Sequence, residues 1–218
     1  MSKFENERNS TNAVKKINPW FSIWIEPKKT IRYIVNNDIK GFIIILAMLS
    51  GIMQSLNIVS SSNLSNIVNF NSTISVIIMF VACIYLGSIG GILSLYLFSG
   101  IIKWIGKSLG GQAEGDEIRA AIAYGSVPFI MTSALSIPAL LVFSKYISTN
   151  YSWFILFAII QFVGSIWTIV VGLNCLGEVQ GFSVWKALIN KVLAGLIILI
   201  SILALTFIGL YGVLSYMI

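Results

Sequence analysis

Histidine is absent from the chain. That removes the commonest general base and the commonest metal ligand, and with them any serine–histidine–aspartate triad. Cysteine is nearly absent too. Cys83 and Cys175 both lie in or at the edge of apolar runs, so a disulfide framework is not expected. Charge is scarce: 10% of the 218 residues are charged, against roughly 25% in an average soluble domain. What remains is apolar, 57% of the sequence with a mean hydropathy of +0.90. A soluble fold of this size has too little interior for that much apolar surface, whereas lipid solvates it directly.

Five long apolar runs are present, at about Gly41–Val59, Ile74–Ile102, Ala120–Phe143, Tyr151–Leu176 and Leu188–Ile218. Each meets the length of roughly 18 apolar residues that marks a spanning helix. Open strands are excluded inside lipid because their backbone groups would lack partners. The expected fold is therefore all-α, a polytopic membrane bundle of five transmembrane helices preceded by a short N-terminal interfacial helix. Gly90-Gly91 inside the second run raises a re-entrant hairpin as an alternative to one tilted helix. Pro128 and Pro138 should kink the third span. Three zones follow: a flexible tail over residues 1–17, a pre-membrane segment over 18–40 and a membrane domain over 41–218.

Basic residues set the orientation. Lys3, Arg8, Lys15, Lys16, Lys28, Lys29, Arg32 and Lys40 precede the first span. Lys103, Lys107 and Arg119 follow the second, and Lys186 and Lys191 come before or at the edge of the fifth. Those segments lie on one side of a five-span topology, and the other side holds only Lys145. The positive-inside rule places the rich side, with the N-terminus, in the cytoplasm and the C-terminus outside a cell membrane. This distribution flanks spans rather than forming a basic stripe, so no nucleic-acid partner is expected.

Small residues recur four apart: Ala47, Gly51 and Ser55; Gly87 and Gly91; Ala121 and Gly125; Gly164, Thr168 and Gly172. Such stripes let helix backbones approach closely, here mainly within one chain, with a homo-oligomer seam as the lesser option. Gln54, Asn57 and Gln161 can hydrogen-bond between helices, each worth ~1 kcal/mol. The middles of the spans hold no charge of the kind that marks ion pathways. Gly106-Lys107-Ser108 fails as a phosphate loop because position 101 is Ile101. Gly115-Asp116 lacks the second intramembrane aspartate of a protease, and no Gly-x-Ser-x-Gly elbow occurs. Nothing has metal-ligand spacing. No catalytic, cofactor or metal residues are expected, and Glu178 reads as a solvated loop carboxylate. Asn-x-Ser/Thr triplets at Asn63, Asn71 and Asn150 are read as accidents of a composition rich in Asn, Ser and Ile.

Three stretches carry a likeness. Asn18-Pro-Trp-Phe-Ser-Ile-Trp-Ile-Glu-Pro-Lys-Lys-Thr-Ile-Arg32 precedes the spans. Pro27 there suits the first turn of a helix, with Ile31, Ile34 and Val35 on one face. That segment either lies on the leaflet through Trp20, Trp24 and its basic residues or packs under the bundle. Gly110-Gly111 followed by Arg119-Ala-Ala-Ile-Ala-Tyr-Gly-Ser-Val-Pro128 enters the third span, and Gly181-Phe-Ser-Val-Trp-Lys-Ala187 leads into the last. Together they resemble the bacterial branch of the Yip/Yif family, the Ypt-interacting-protein type of five-span membrane domain. The resemblance implies the same topology. Eukaryotic relatives are associated with small GTPases and vesicle traffic, a role that does not transfer to a bacterium, and the family offers no catalytic residues.

The expected function is non-enzymatic: an integral membrane accessory or scaffold protein that contacts the lipid bilayer and other integral membrane proteins, an ABC-type exporter being one candidate partner. The alternative is a small permease or channel for a neutral solute or lipid, motivated by Gln54, Asn57, Gln161, Asn174 and the kinked third span. The residues expected to form a partner-docking or structural signature are Trp20, Trp24, Pro27, Arg32, Arg119, Tyr124, Pro128 and Trp185.

Overall fold

The computed structural model describes residues 18–37, 39, 41–61, 73–135 and 151–217. The tail, the stretch 62–72, Pro138, Lys145, the asparagines of the three Asn-x-Ser/Thr triplets and the end of the third run lie outside the described residues. Every element among those described is a helix.

The pre-membrane segment folds as two helices, α1 (Pro19–Ile25) and α2 (Pro27–Asn36). Asn18 caps the first, its Oδ1 accepting from the Trp20 N–H at 3.2 Å. Each helix opens on a proline, where the missing N–H has no intrahelical partner to lose. Pro27 also explains why one expected interfacial helix becomes two, because the ring cannot continue α1. One face of this segment packs under the bundle and the other is open. Ile31 and Ile34 are fully buried against the bundle, whereas Lys28, Lys29 and Arg32 are exposed.

The spans follow as α3 (Ile43–Ser61), α4 (Thr73–Ser108), α5 (Gly115–Gly125) continued by α6 (127–135), α7 (Tyr151–Gln180) and α8 (Val184–Met217). Four stretches, Ile77–Ser108, Gly115–Leu135, Ile155–Gln180 and Val184–Gly212, are long and apolar enough to cross a membrane. The fifth, α3, has 19 residues and so measures about 28 Å at ~1.5 Å per residue, close to the ~30 Å hydrocarbon core. The chain is an all-α membrane bundle.

Helix α4 runs unbroken through Gly90-Gly91, so the re-entrant hairpin does not form. Those glycines serve packing instead. A Cβ on Gly51 would lie 2.7 Å from the Gly91 Cα, and one on Gly87 would lie 2.8 Å from the Ile52 Cα. The α3–α4 crossing is therefore backbone against backbone. The same device joins α5 to α7, where a Cβ on Gly125 would lie 2.9 Å from the Gly172 Cα. Lipid tails are as apolar as leucine, so this fit, rather than removal of apolar area from water, holds the helices together.

The third span bends at Ser126. Pro128 has no N–H to offer the Tyr124 carbonyl, and the helix breaks for one residue before α6 resumes. Farther along, Asn57 donates to Ser133 Oγ at 3.0 Å and Gln161 donates to Asn57 Oδ1 at 3.3 Å, linking α3, α6 and α7. Gln54 does not join them; it lines a cavity. Asn174 bonds back to the Val170 carbonyl of its own helix at 2.8 Å.

Two helix ends differ from the sequence-based boundaries. Helix α7 extends to Gln180, so Glu178 stands on a helix rather than in a solvated loop. Helix α8 begins at Val184, ahead of the apolar run, with the Ser183 hydroxyl accepting from the Lys186 N–H at 3.4 Å.

Candidate functional site

The ends of α4 and α7 are built alike. Gly110 has φ +88° and Gly181 has φ +70°, the left-handed conformation that glycine adopts without steric cost. Gly111 N–H bonds to the Gly106 carbonyl at 2.7 Å and Gly110 N–H to the Lys107 carbonyl at 3.1 Å. Phe182 N–H bonds to the Gly177 carbonyl at 3.0 Å and Gly181 N–H to the Glu178 carbonyl at 3.3 Å. Both are Schellman caps, which satisfy the last carbonyls of a helix. The two turns also touch: Gln112 N–H reaches the Gln180 carbonyl at 3.4 Å. The buried side chain of Gln180 fills the space left by Gly106 and Gly111, where a Cβ would meet the Gln180 Cδ at 2.8 and 3.0 Å.

Around these turns the signature assembles in part. The Arg32 guanidinium of α2 pairs with Glu178 of α7, Nε lying 2.7 Å from Oε1. Pro27 presents its carbonyl to the buried Cys175 thiol at 3.8 Å. Trp24 packs on the same core as Ile31 and Ile34. Trp20 meets Phe42 edge to face, with ring centroids 6.2 Å apart. Tyr124 is buried in α5, and its hydroxyl donates to the Ile39 carbonyl at 3.3 Å, tying the third span to the segment between α2 and α3. Val127 and Pro128 are fully buried just beyond it.

Arg119 sits apart from this core. It pairs with Asp116 one turn earlier and lies over the Tyr96 ring, 4.9 Å from the centroid, which anchors α5 to α4. The acidic start of α5 behaves as its sequence implies. The Glu117 carboxylate accepts from the Glu114 N–H at 2.8 Å, and Asp116 and Glu117 complement the helix dipole. Trp185 joins none of these; it is 76% exposed at the start of α8.

The arrangement orders helices and presents no reacting pair. Among the described residues no group of three metal-ligating side chains converges. Two openings lie deeper between the spans. One, of about 630 Å³, is bounded by α3, α4 and α5 and reaches Lys191 of α8. The other, of about 150 Å³, lies between α4, α5 and α7, and Lys191 lines it too.

Across this whole arrangement the Yip1 domain matches residues 21–216. The chain belongs to the Yip1-domain family. No curated protein and no solved structure matches it. Two glycines of the stretches that carry the Yip/Yif resemblance have a physical explanation, since Gly110 and Gly181 close helices at φ values other residues resist. Sequence reasoning missed Gln180, the amide around which both turns close, because a lone glutamine near a helix end carries no periodic signal. It also missed the Glu178 pair, whose partner lies 146 positions away.

Proposed function

We propose that this Yip1-domain protein is a non-enzymatic membrane accessory or scaffold subunit whose α8 receives a transmembrane helix of another integral membrane protein. One observation carries the reading. Ala187, Asn190 and Ala194 lie on one face of α8 at helical spacing, and all three are fully buried against the bundle. The same face continues through Ile197 as Ser201, Ala204, Leu205, Ile208, Gly212 and Ser215, small at four of these last six positions, and from Ser201 to Ile208 it is exposed. Small residues let helices approach closely and give lipid no advantage. The face therefore keeps the character of a helix contact past the point where contacts with the other described residues stop. The basic residues of α2, of the α4 end and of the start of α8 support a cytoplasmic placement of the capped end. They also favour a cell membrane with the C-terminus outside. The signature residues Trp24, Pro27, Arg32, Arg119, Tyr124 and Pro128 act as structural anchors, and Trp20 and Trp185 as interfacial ones. An exporter of the ABC type is one partner that offers the required helices.

A photoreactive side chain at Ala204, activated in native membranes, tests this. We expect a cross-link to one predominant integral membrane protein, which also co-purifies in mild detergent. Cross-links only to lipid, or to residues 136–150 of the same chain, would overturn the reading; cross-links to a second copy would replace the partner with a homo-oligomer. A permease for a neutral solute or lipid is the second reading, favoured by the larger cavity with Ser50, Gln54 and Ser94 on its wall.

A further inference from the structure

Lys191 is a cation inside a span. It stands seven residues after the start of α8, about 10 Å along the axis at ~1.5 Å per residue. Lysines at such depth ordinarily bend their amines back toward the headgroups, and the Cα–Cβ bond of a helix, tilted toward the N-terminus, would favour that here. The amine of Lys191 does not follow this course. Its Nζ lies 3.4 Å from where a Cβ on Gly172 would stand. Gly177 faces Ala187 across the α7–α8 hairpin, a Cβ on Gly177 lying 3.7 Å from that of Ala187. Gly172 is thus level with Lys191, not with the turn. The amine rests in the notch made by the absent side chain at Gly172, beside the close Gly125 crossing.

No described protein group compensates the charge. Among the described residues Lys191 has no ion pair and no hydrogen bond. Carboxylates at the capped end are engaged with other groups: Glu178 with Arg32, Asp116 with Arg119 and Glu117 with the Glu114 N–H. An unpaired cation in a span is costly, and such residues face cavities and mark ligand paths. Lys191 is exposed, and the two openings described above both reach it.

The larger opening has the shape of an amphiphile. Its wall runs along α4 from Leu86 to Phe98, about 18 Å at ~1.5 Å per residue, and is mostly apolar. Among its described lining residues Lys191 alone is charged, and Asn190 beside it reaches Ile102, which places the charge toward the capped end. Gln54 and Ser94, also on the wall, form no hydrogen bonds among the described residues. We propose that this cavity binds an anionic phospholipid, its phosphate against the Lys191 ammonium and an acyl chain along α4 toward Leu86.

The test uses the full-length protein in nanodiscs containing equal phosphatidylglycerol and phosphatidylcholine, with lipids retained after transfer to detergent counted by native mass spectrometry. The wild type should retain phosphatidylglycerol selectively. Lys191→Met should lower that retention about tenfold, a ratio that corresponds to ~1.4 kcal/mol. Lys191→Arg should keep it, and so should Lys186→Met, which removes the same charge from an exposed site. A second variant does not depend on the lysine. Gly90 lines the cavity with nothing within 4 Å of an added Cβ, so Gly90→Leu should fold, fill the space and displace the lipid. Equal retention by wild type, Lys191→Met and Gly90→Leu would overturn the proposal. Inorganic phosphate displacing the lipid at millimolar concentration would also overturn it, assigning the site to a free anion. Neither result bears on the α8 face, which is read by cross-linking at Ala204.

Discussion

The span Gly115–Leu135 and the helix α8 are both apolar enough to cross a membrane, yet their surroundings are opposite. In the first, 61% of the spanning window is buried within the protein; in the second, 6% is. The buried one is the less apolar of the two and carries a charged first turn, a tyrosine and a proline. In water this ordering would be reversed, because the most apolar element would be driven inside. In lipid no such drive acts between helices. Position is then decided by which helices can approach closely and make polar contacts. Residues 115–135 do both, through Gly125, the Tyr124 hydroxyl and Ser133. Past Ile197, α8 does neither with the other described residues.

The largest effect that separates these regions should come from adding one methyl group to each. In Gly51→Ala the new Cβ would sit 2.7 Å from the Gly91 Cα, with backbone on both sides and nothing flexible to yield. A loss of about 1–3 kcal/mol is expected, or failure to assemble at all. In Gly209→Ala the Cβ meets nothing within 4 Å. There the gain in helix preference, about 0.5–1 kcal/mol, should appear undiluted. Unfolding of both variants by titration with a denaturing detergent measures the pair. Similar destabilisation by the two would mean that α8 has a contact the monomer does not show.

This contrast also explains what could be read from the sequence. Run lengths place five spans, and the small-residue stripes identify Gly51, Gly87, Gly91, Gly125 and Gly172 as contact points, because that chemistry is local and periodic. The kink at Pro128 and the acidic start of α5 are equally legible. Less legible is anything that depends on two distant segments meeting. The pairing of Arg32 with Glu178, the Gln180 wedge and the Lys191 notch opposite Gly172 each join positions whose separation carries no pattern. Helix ends are less legible for a related reason. An apolar run stops at its last apolar residue, whereas a helix continues to its cap, so the run that ends at Leu176 does not show that Glu178 stands on the same helix.

A smaller effect sharpens the account of the capped end. Gly111→Ala would press a Cβ 2.9 Å from the Phe182 ring and 3.0 Å from the Gln180 Cδ. Both neighbours are side chains, so the cost should fall toward the low end of about 1–3 kcal/mol. Gln180→Ala alone should also destabilise, by emptying the space between Gly106 and Gly111. The two changes should not add. With Gln180 shortened, the methyl group at position 111 has room, so the double variant should be more stable than the sum of the singles implies by about 0.5–3 kcal/mol. Strict additivity in a double-mutant cycle would show that Gln180 is not what makes glycine necessary at position 111.

The smallest effect concerns charge. The Arg32 side chain is 65% exposed and that of Glu178 is 18% exposed, so water and salt reach the pair from the arginine side. Exposed pairs of this kind contribute about 0.2–1 kcal/mol. A cycle of Arg32→Met, Glu178→Gln and the double variant should give a coupling in that range, shrinking between low and high salt as screening takes hold. The capped end would then be held mainly by its two Schellman turns, the buried Ile31 and Ile34 and the Tyr124 hydroxyl, with the ion pair setting only the rotation of α2 over α7. A coupling of several kcal/mol that survives high salt would reverse that order. It would make α2 an electrostatic latch, and detachment of the pre-membrane helices would become the first step of unfolding rather than a consequence of it.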